Sequence, residues 1–479
     1  MSKSARIQKI KDFFNDIQSS LPNEEIWHST MISIPYWIGA ALVGLVAVGY
    51  AKAFGYIEHL ATSIYTEHPW YIFIGAPIFF LSAWAIVAFF APAAGGSGIP
   101  QLMVATELAH TKNANYIDRL LGLGTIAVKI LSSFLCVLGG GAIGREGPTL
   151  QIAGSVFHLL RKSLPSWWPP LNSQSMIIAG GAAGLAAAFN TPLGGIVYVV
   201  EELAKVHLSY FRTSVLQAVI VSGLVAQLIL GPYLYLGYPK VSPVAFADLP
   251  SVILIGLIIG LFGGLSSRLL LKLLRWRAQF PDLKTQILFA LGAGLAFAIL
   301  IFTLGPAGLG PGRETIVKLL FSQQPAGDWT WAVSRFFANI FSFVSGCAGG
   351  IFAPALATGA AMGSAISSLF ANIDVQVVIV LGMVAFLTGI THTPFTSFVL
   401  VLEMTDRHSV IFPMMLAAMS AYSASKLIDK KSFYEHIKET YMENLHQAVP
   451  ERKSKMKPEV SSETTSSTPA QTENSSESV

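Results

Sequence analysis

Long apolar segments, interrupted by short polar ones, run through most of the chain. Five segments contain no Asp, Glu, Lys or Arg and lie between residues 67 and 107, 162 and 201, 284 and 313, 335 and 374, and 374 and 403. Each exceeds the about 20 apolar residues that one membrane-spanning helix requires. The segments MISIPYWIGAALVGLVAVGYAKAF and PSVILIGLIIGLFGGL are candidates for single spans. The pattern predicts an all-α polytopic membrane protein with many spanning helices.

The composition agrees with this class, because 53% of the residues are hydrophobic and only 12% are charged. Average soluble domains carry about 25% charged residues. The basic residues cluster beside the apolar segments, in MSKSARIQKIK, in RKS at 161–163, in RLLLKLLRWR and in DKK at 429–431. Because basic loops favour the cytoplasmic side of a membrane, we expect both chain ends in the cytoplasm. We expect no nucleic-acid partner, because the basic residues lie beside the apolar segments and not along one face.

The two ends of the chain differ from the part between them. Residues 1–30 show an amphipathic pattern with Ile7, Ile10 and Phe13 among polar residues, which predicts a helix lying on the cytoplasmic surface. The tail at 448–479 is rich in Ser, Thr and Glu and is expected to be disordered. We expect no soluble regulatory domain after the membrane part.

Cofactor and metal chemistry find little support in the sequence. The ten histidines show no spacing typical of metal ligands, so we expect neither a metal site nor a cofactor. The two cysteines, Cys136 and Cys347, lie in Gly-rich apolar surroundings. They are expected to be buried thiols without a disulfide.

An internal repeat is visible in two ordered matches. GREGPTL, which starts at Gly144, matches GIFAPAL, which starts at Gly350, with an offset of 350 − 144 = 206. TPLGGIVYVVE, from Thr191, matches TPFTSFVLVLE, from Thr393, with an offset of 393 − 191 = 202. Nearly equal offsets in the same order predict two homologous halves, roughly 31–230 and 250–430.

Three Gly-rich motifs end in a proline: GGSGIP, GREGP and GGIFAP. Proline favours the first turn of a helix, so each motif predicts a loop that leads into a helix N-terminus. Interrupted helices at membrane depth are tolerated only where the backbone is buried in protein or lines an aqueous site. Helix N-termini bind anions through free N–H groups, which predicts a central anion site. Ser97 can add a hydroxyl to that site, or can serve only as an N-cap.

The motifs GGSGIP at 95–100, GREGP at 144–148 and GGIFAP at 349–354 resemble the signature motifs of the CLC family of chloride channels and chloride/proton antiporters. The resemblance extends over about residues 31–445. It includes the EE pair at 201–202, the LEMT at 402–405 and Tyr434.

The resemblance implies two inverted-topology repeats whose broken helices meet at the anion site. It also implies a C-terminal helix at 431–447 that reaches this site, and a homodimer with one pathway per subunit. The protein would reside in the lipid bilayer of a bacterial inner membrane.

The resemblance also implies roles for individual residues. Ser97 and Tyr434 would give hydroxyls to chloride, and Ile351 and Phe352 would give backbone N–H groups. Glu146 would be the gate, because a carboxylate can occupy an anion site when it is charged and leave it when it is protonated. Supporting positions are Gly98, Arg145, Gly147 and Lys129, of which Arg145 is favoured as an ion-pair or carbonyl partner rather than an ion contact.

A second acid distinguishes transport mechanisms. In similar antiporters the residue at the position of Glu202 passes protons between the cytoplasm and the gate, whereas channels usually lack it. Glu201 is favoured as a structural residue because its repeat partner is Glu403; Glu202 has Met404 as its partner. Met103 stands where some bacterial relatives have a further acid.

These residues favour a chloride/proton antiporter that carries chloride and protons as substrates. The alternative is a passive voltage- or proton-gated chloride channel of the same fold. An intramembrane enzyme is disfavoured, because there is no HExxH motif and no Ser/His pair. The resemblance disfavours a fluoride-specific transporter, because GGSGIP and Tyr434 are intact. Nitrate stays open as a substrate, although by the same resemblance Ser97 favours chloride.

Overall fold

The structure, a computed structural model, describes residues 24–203, 213–231, 235–321 and 328–454. Within these ranges the chain forms eighteen α-helices. They are α1 Glu24–Glu67, α2 Ile72–Phe90, α3 Ile99–Leu108, α4 Ile117–Leu120, α5 Leu123–Leu138, α6 Glu146–Ser163, α7 Ser173–Phe189, α8 Pro192–Tyr198, α9 Thr213–Leu230, α10 Leu249–Ala278, α11 Leu283–Leu304, α12 Arg313–Phe321, α13 Trp329–Val344, α14 Phe352–Ile366, α15 Val375–Thr391, α16 Pro394–Thr405, α17 Ile411–Ile428 and α18 Phe433–Ser454.

Shorter helical turns connect several of these elements. A π-helical turn, Val199–Leu203, continues α8. Single 3₁₀ turns lie at Pro69–Tyr71, Pro92–Ala94, Ala114–Tyr116, Phe246–Asp248, Pro306–Gly308, Ser367–Phe370 and His408–Val410.

The helices are long and apolar enough to confirm a multi-pass membrane protein. Eight helical segments in the described ranges meet the length and hydropathy of a spanning helix. Others are shorter, such as α7, α15 and α16, and most of their residues are buried in the protein. The all-α fold predicted from the sequence is therefore the fold observed.

Helices continue across both predicted ends of the membrane region. The boundary at residue 30 lies inside α1, because this helix continues without interruption from Glu24 to Glu67. The amphipathic segment around Ile7 lies outside the described residues. At the other end, α18 begins at Phe433 and continues to Ser454, beyond the predicted limit at 447. The tail at 455–479 lies outside the described residues.

The two halves contain equivalent helices in the same order. Helices α6 to α9 of the first half correspond to α14 to α17 of the second half. The packing is equivalent too, because α1 packs on α7 and α9, while α10 packs on α15 and α17. Glycines lie where α6 crosses α7 and where the equivalent helices α14 and α15 cross. Gly180 lies against Gly154, and Gly382 lies against Gly359. The absence of side chains at these positions lets the helix backbones touch.

Equivalent glycines also meet where the two halves join. Gly144 and Gly350 exchange two backbone hydrogen bonds of 2.7 Å in an isolated antiparallel bridge. Two residues at matching repeat positions that bond each other reciprocally indicate a two-fold relation between the halves. A second bridge, between Gly96 and Ala348, ties the GGSGIP loop to the second half.

Both cysteines are buried free thiols, as expected. Cys136 lies in the last turn of α5, and Cys347 lies in the loop before α14. The two thiols lie side by side beneath the loops that form the bridges, so they belong to the packed support of the three motifs.

Candidate anion site

Three helices begin at the three Gly-rich motifs, as the prolines predict. Helix α3 follows Gly98, whose φ of 101° lies in the left-handed region that favours glycine. Helix α6 follows Arg145 and begins with Glu146. Helix α14 follows Ile351 and begins with Phe352. The first N–H groups of each helix have no partner within the helix and can therefore bind an anion.

Glycines bring these three helix starts together. A methyl group at Gly147 would overlap Oγ of Ser97 and would lie 3.2 Å from Cα of Gly350. A methyl group at Gly98 would lie 2.9 Å from the carbonyl oxygen of Gly147. The three motifs therefore meet at a point where no further side chain fits. This steric limit explains why the supporting positions Gly98 and Gly147 are glycines.

Two hydroxyl groups lie at this meeting point. Ser97 is 2% exposed and Tyr434 is fully buried. Their hydroxyls are neighbours, yet neither oxygen makes a hydrogen bond of ordinary geometry within the described residues. Buried hydroxyls normally have a hydrogen-bond partner. This pair is therefore placed to donate to a ligand between the helix starts.

Helix α18 brings Tyr434 to the site from the far end of the chain. Its start is fixed by a capping box, in which Ser432 N donates to Glu435 Oε2 over 2.9 Å and Glu435 N donates to Ser432 Oγ over 3.1 Å. The Tyr434 ring stacks on Phe352, with centroids 6.1 Å apart and planes at 16°. The ring of Phe352 thus holds the tyrosine beside the start of α14.

Glu146 is a buried acid, 1% exposed, at the first position of α6. Its carboxyl group packs against Gly144 and lies beside the backbone N–H groups of Glu146 itself and of Ala353. A carboxylate is thus held where helices α6 and α14 both present their positive ends.

Two cavities border the site. A cavity of about 360 Å³ is lined by Glu146 and Arg145. Another cavity, of about 460 Å³, is lined by Ser97 and by Arg277 of α10. The meeting point of the motifs lies between Ser97 and Glu146, so an ion passing from one cavity to the other would have to pass the hydroxyls and the carboxyl group.

The two basic residues singled out from the sequence bind carbonyl groups. Arg145 Nη1 donates to the carbonyl of Ala51 over 3.0 Å, and the guanidinium lies over the Tyr235 ring at 6.0 Å. Lys129 is fully buried and its Nζ donates to the carbonyl of Gly96 over 2.9 Å. Lys129 therefore holds the GGSGIP loop and adds positive potential from behind it.

The paired acids Glu201 and Glu202 have different surroundings. Glu201 accepts hydrogen bonds from the backbone N–H groups of Phe395, at 3.0 Å, and Thr396, at 2.7 Å, in the first turn of α16. Glu403 does the same for α8, accepting from the N–H groups at positions 193 and 194 over 3.0 and 2.6 Å. Glu202 takes no part in this reciprocal capping and is 2% exposed.

Sequence reasoning missed Tyr198, which lies between Glu202 and the central site. It precedes Glu202 by one helical turn, is fully buried, and its hydroxyl has no hydrogen-bond partner of ordinary geometry in the described residues. Its ring meets Phe352 edge-on, with centroids 6.0 Å apart. The sequence places Tyr198 four residues before the intramembrane acid Glu202, and this spacing could have identified it.

Glu58 was also missed. This α1 residue lines the same cavity as Glu146, and its carboxyl contacts the turn at Gly310. A lone acid in an apolar helix could have been noticed, but nothing in the sequence relates α1 to the GREGP motif. Met103 and Met404, which the sequence analysis relates to the second acid, Glu202, are buried apolar residues, 8% and 0% exposed.

Comparison with known proteins places these features in a family. A family model described as voltage gated chloride channel matches residues 78–426. The H(+)/Cl(-) exchange transporter ClcA of Cronobacter sakazakii is 30% identical over 416 residues, which cover 83% of this chain and 86% of the relative. The protein of the same name from Klebsiella pneumoniae is 28% identical with the same coverage.

Solved structures share the fold. The structure of a slow cyanobacterial Cl⁻/H⁺ antiporter superposes with a TM-score of 0.73 at 24% identity, covering 86% of this chain and 98% of the other. A CLC-type fluoride/proton antiporter superposes with a TM-score of 0.69 at 21% identity, covering 83% and 96%.

Proposed function

This chain belongs to the voltage gated chloride channel family, and from that premise we propose that it is a chloride/proton antiporter, which exchanges chloride for protons across a membrane. The similar curated proteins are named as exchange transporters. The proposal assigns no enzymatic activity and needs no cofactor, because chloride is the bound substrate.

The observation that carries the proposal is the position of Glu146. Its carboxyl group lies beside two helix N-termini and lines a cavity. In the charged form the carboxylate competes with chloride for the same N–H groups, and in the protonated form it has less affinity for them. One group thereby carries a proton and blocks the anion path in turn, which couples the two fluxes.

Chloride would bind between the three helix starts. Ser97 and Tyr434 would donate their hydroxyls, and Ile351 and Phe352 their backbone N–H groups. Neutral donors bind a halide weakly enough to release it, which transport requires. The lysine behind the loop, Lys129, is bonded to a carbonyl and would act only through its field.

Protons would follow a separate route through Glu202 and Tyr198. Glu202 is a buried acid whose matching position in the second half is Met404, and Tyr198 lies four residues before it. The Tyr198 ring meets Phe352, on which Tyr434 stacks. The route favours exchange over the passive channel, which would not need a buried acid at this place.

We also propose the assembly and location that the family resemblance implies. The protein would be a homodimer with one pathway per subunit in the bacterial plasma membrane, with both chain ends in the cytoplasm. The clusters of basic residues beside the apolar segments support this orientation.

The decisive experiment uses purified protein in chloride-loaded liposomes, with chloride efflux and external pH recorded together. Exchange requires that a chloride gradient drives protons against their own gradient. Chloride efflux without any change in pH would replace the antiporter with the channel.

A further inference from the structure

A strongly basic cavity lies where α10 ends and α17 leads into α18. Its volume is about 760 Å³. Arg268, Lys272 and Arg275 line one wall; these residues follow one another at helical spacing along one face of α10. Lys430, Lys431 and His436 line the opposite wall. Arg275 also lines the 460 Å³ cavity beside Ser97, and the other five side chains line neither of the two cavities that border the anion site.

Acids balance only part of the positive charge of this cavity. Asp429 is the acid in its lining, and its Oδ2 lies 2.9 Å from Nε2 of His436. Lys431 is bound by Glu439 at 2.6 Å. Within the described residues no acidic side chain forms a salt bridge with Arg268, Lys272 or Lys430. The cavity therefore keeps an excess of positive charge that an anionic ligand can neutralise.

The cavity also lies at the end of two candidate membrane spans. One of these spans ends at Ala278 and the other at Ile428. Trp276 lines the cavity and exposes 50% of its surface. Leu265 and Leu427, which are near the lining residues Arg268 and Ile428 in sequence, expose 43% and 86%. Aromatic residues favour the membrane–water interface, and exposed leucines at a span end favour acyl chains. A ligand at this place can therefore use both a negative head and an apolar tail.

We propose that this cavity binds the phosphate headgroup of an anionic membrane phospholipid. Basic pockets between helices at the cytoplasmic side are suited to such headgroups, and guanidinium groups bind phosphate through paired hydrogen bonds. The acyl chains would lie along Leu265 and Leu427. The lipid would bridge α10 to the link before α18 and so fix the start of the helix that carries Tyr434.

The test measures lipid binding directly. Purified protein is delipidated and titrated with phosphatidylglycerol or phosphatidylcholine in mixed micelles, and bound lipid is counted by native mass spectrometry. Thermal unfolding is followed in parallel. Wild type should bind phosphatidylglycerol and unfold at a higher temperature with it, and phosphatidylcholine should do neither.

The triple variant Arg268→Gln, Lys272→Gln, Lys430→Gln should bind phosphatidylglycerol about tenfold or more weakly, since each basic residue near the surface contributes to headgroup attraction. The matched control is Lys284→Gln, an exposed lysine at the start of α11 and outside the cavity. It should bind as wild type does.

Three results would overturn the proposal. The triple variant could retain wild-type affinity, or Lys284→Gln could lose as much as the triple variant. Inorganic phosphate alone could also raise the unfolding temperature as much as the lipid does, which would make the cavity a site for free anions. None of these readouts depends on transport, so they are distinguishable from failure of the proposed antiport.

Discussion

Glu201 and Glu202 are neighbours in sequence, and Glu201 caps helix α16 of the second half. Its carboxylate accepts two backbone hydrogen bonds at the start of α16, and Glu403 returns the same interaction to α8. Each acid thus stabilises a helix of the other half. Glu202 has Met404 at its matching position in the second half, so the two-fold relation between the halves does not account for a carboxylate at this position.

The two acids should therefore respond differently to the same substitution. Glu202→Gln keeps the size of the side chain but cannot release a proton, so proton flux should be abolished while chloride flux stays largely intact. Glu201→Gln should leave coupling intact and lower the stability, because an uncharged amide caps a helix less well than a carboxylate. Paired chloride and pH recordings in liposomes measure the first effect, and thermal unfolding measures the second.

The assignment of roles would be reversed if Glu201→Gln uncoupled the fluxes while Glu202→Gln transported as wild type does. Loss of both fluxes in Glu202→Gln, together with a lowered unfolding temperature, would make this acid structural.

Tyr198→Phe should slow proton transfer without changing the anion site. The substitution removes only the hydroxyl and preserves the edge-on contact with Phe352. We expect proton flux to fall by about tenfold, because a hydrogen-bonding group on the route is lost and positioned proton transfer contributes at least that much. Isothermal titration of chloride should give an unchanged affinity. A proton flux equal to that of wild type would remove Tyr198 from the route.

Glu146→Gln replaces the gate with a neutral mimic of its protonated form. Chloride flux should persist, because the amide does not compete with an anion as a carboxylate does, and coupled proton movement should vanish. Arg145, its neighbour, is bonded to the carbonyl of Ala51, so Arg145→Gln should mainly lower stability. Uphill proton pumping by Glu146→Gln would contradict the proposed coupling.

Much of the fold and of the anion site could be predicted from the sequence, because the two halves repeat each other and Gly-Pro motifs mark the helix starts. The matches at Gly144 and Gly350 predict two halves, and the prolines after the glycines predict the helix starts. Tyr198 and Glu58 could not be predicted in the same way, because a single residue in an apolar helix has no partner in the sequence. Helix α18 continues to Ser454, past the predicted limit at 447 and through Pro450, although a proline usually ends or kinks a helix, so its end could not be predicted from the sequence.

The hydroxyls of Ser97 and Tyr434 should determine anion binding. Tyr434→Ala should lower chloride affinity by roughly tenfold or more, because hydrogen bonds to charged groups contribute about 1.5–3 kcal/mol. Ser97→Pro should make nitrate a better substrate and loosen the coupling. Calorimetric titration with chloride and nitrate measures both effects. Unchanged affinities in both variants would place the bound anion elsewhere.

Gly147 tests the geometry of the site without removing any chemical group. A methyl group there would overlap Oγ of Ser97 and would approach Gly350, so the GGSGIP and GGIFAP loops would have to separate. Gly147→Ala should therefore weaken chloride binding and lower the unfolding temperature. The control is Gly49→Ala in α1, where a methyl group meets nothing within 4 Å. Alanine favours a helix over glycine by about 1 kcal/mol, so the control should be neutral or stabilising. If Gly147→Ala binds chloride as tightly as Gly49→Ala does, the anion site cannot lie where the three helix starts meet.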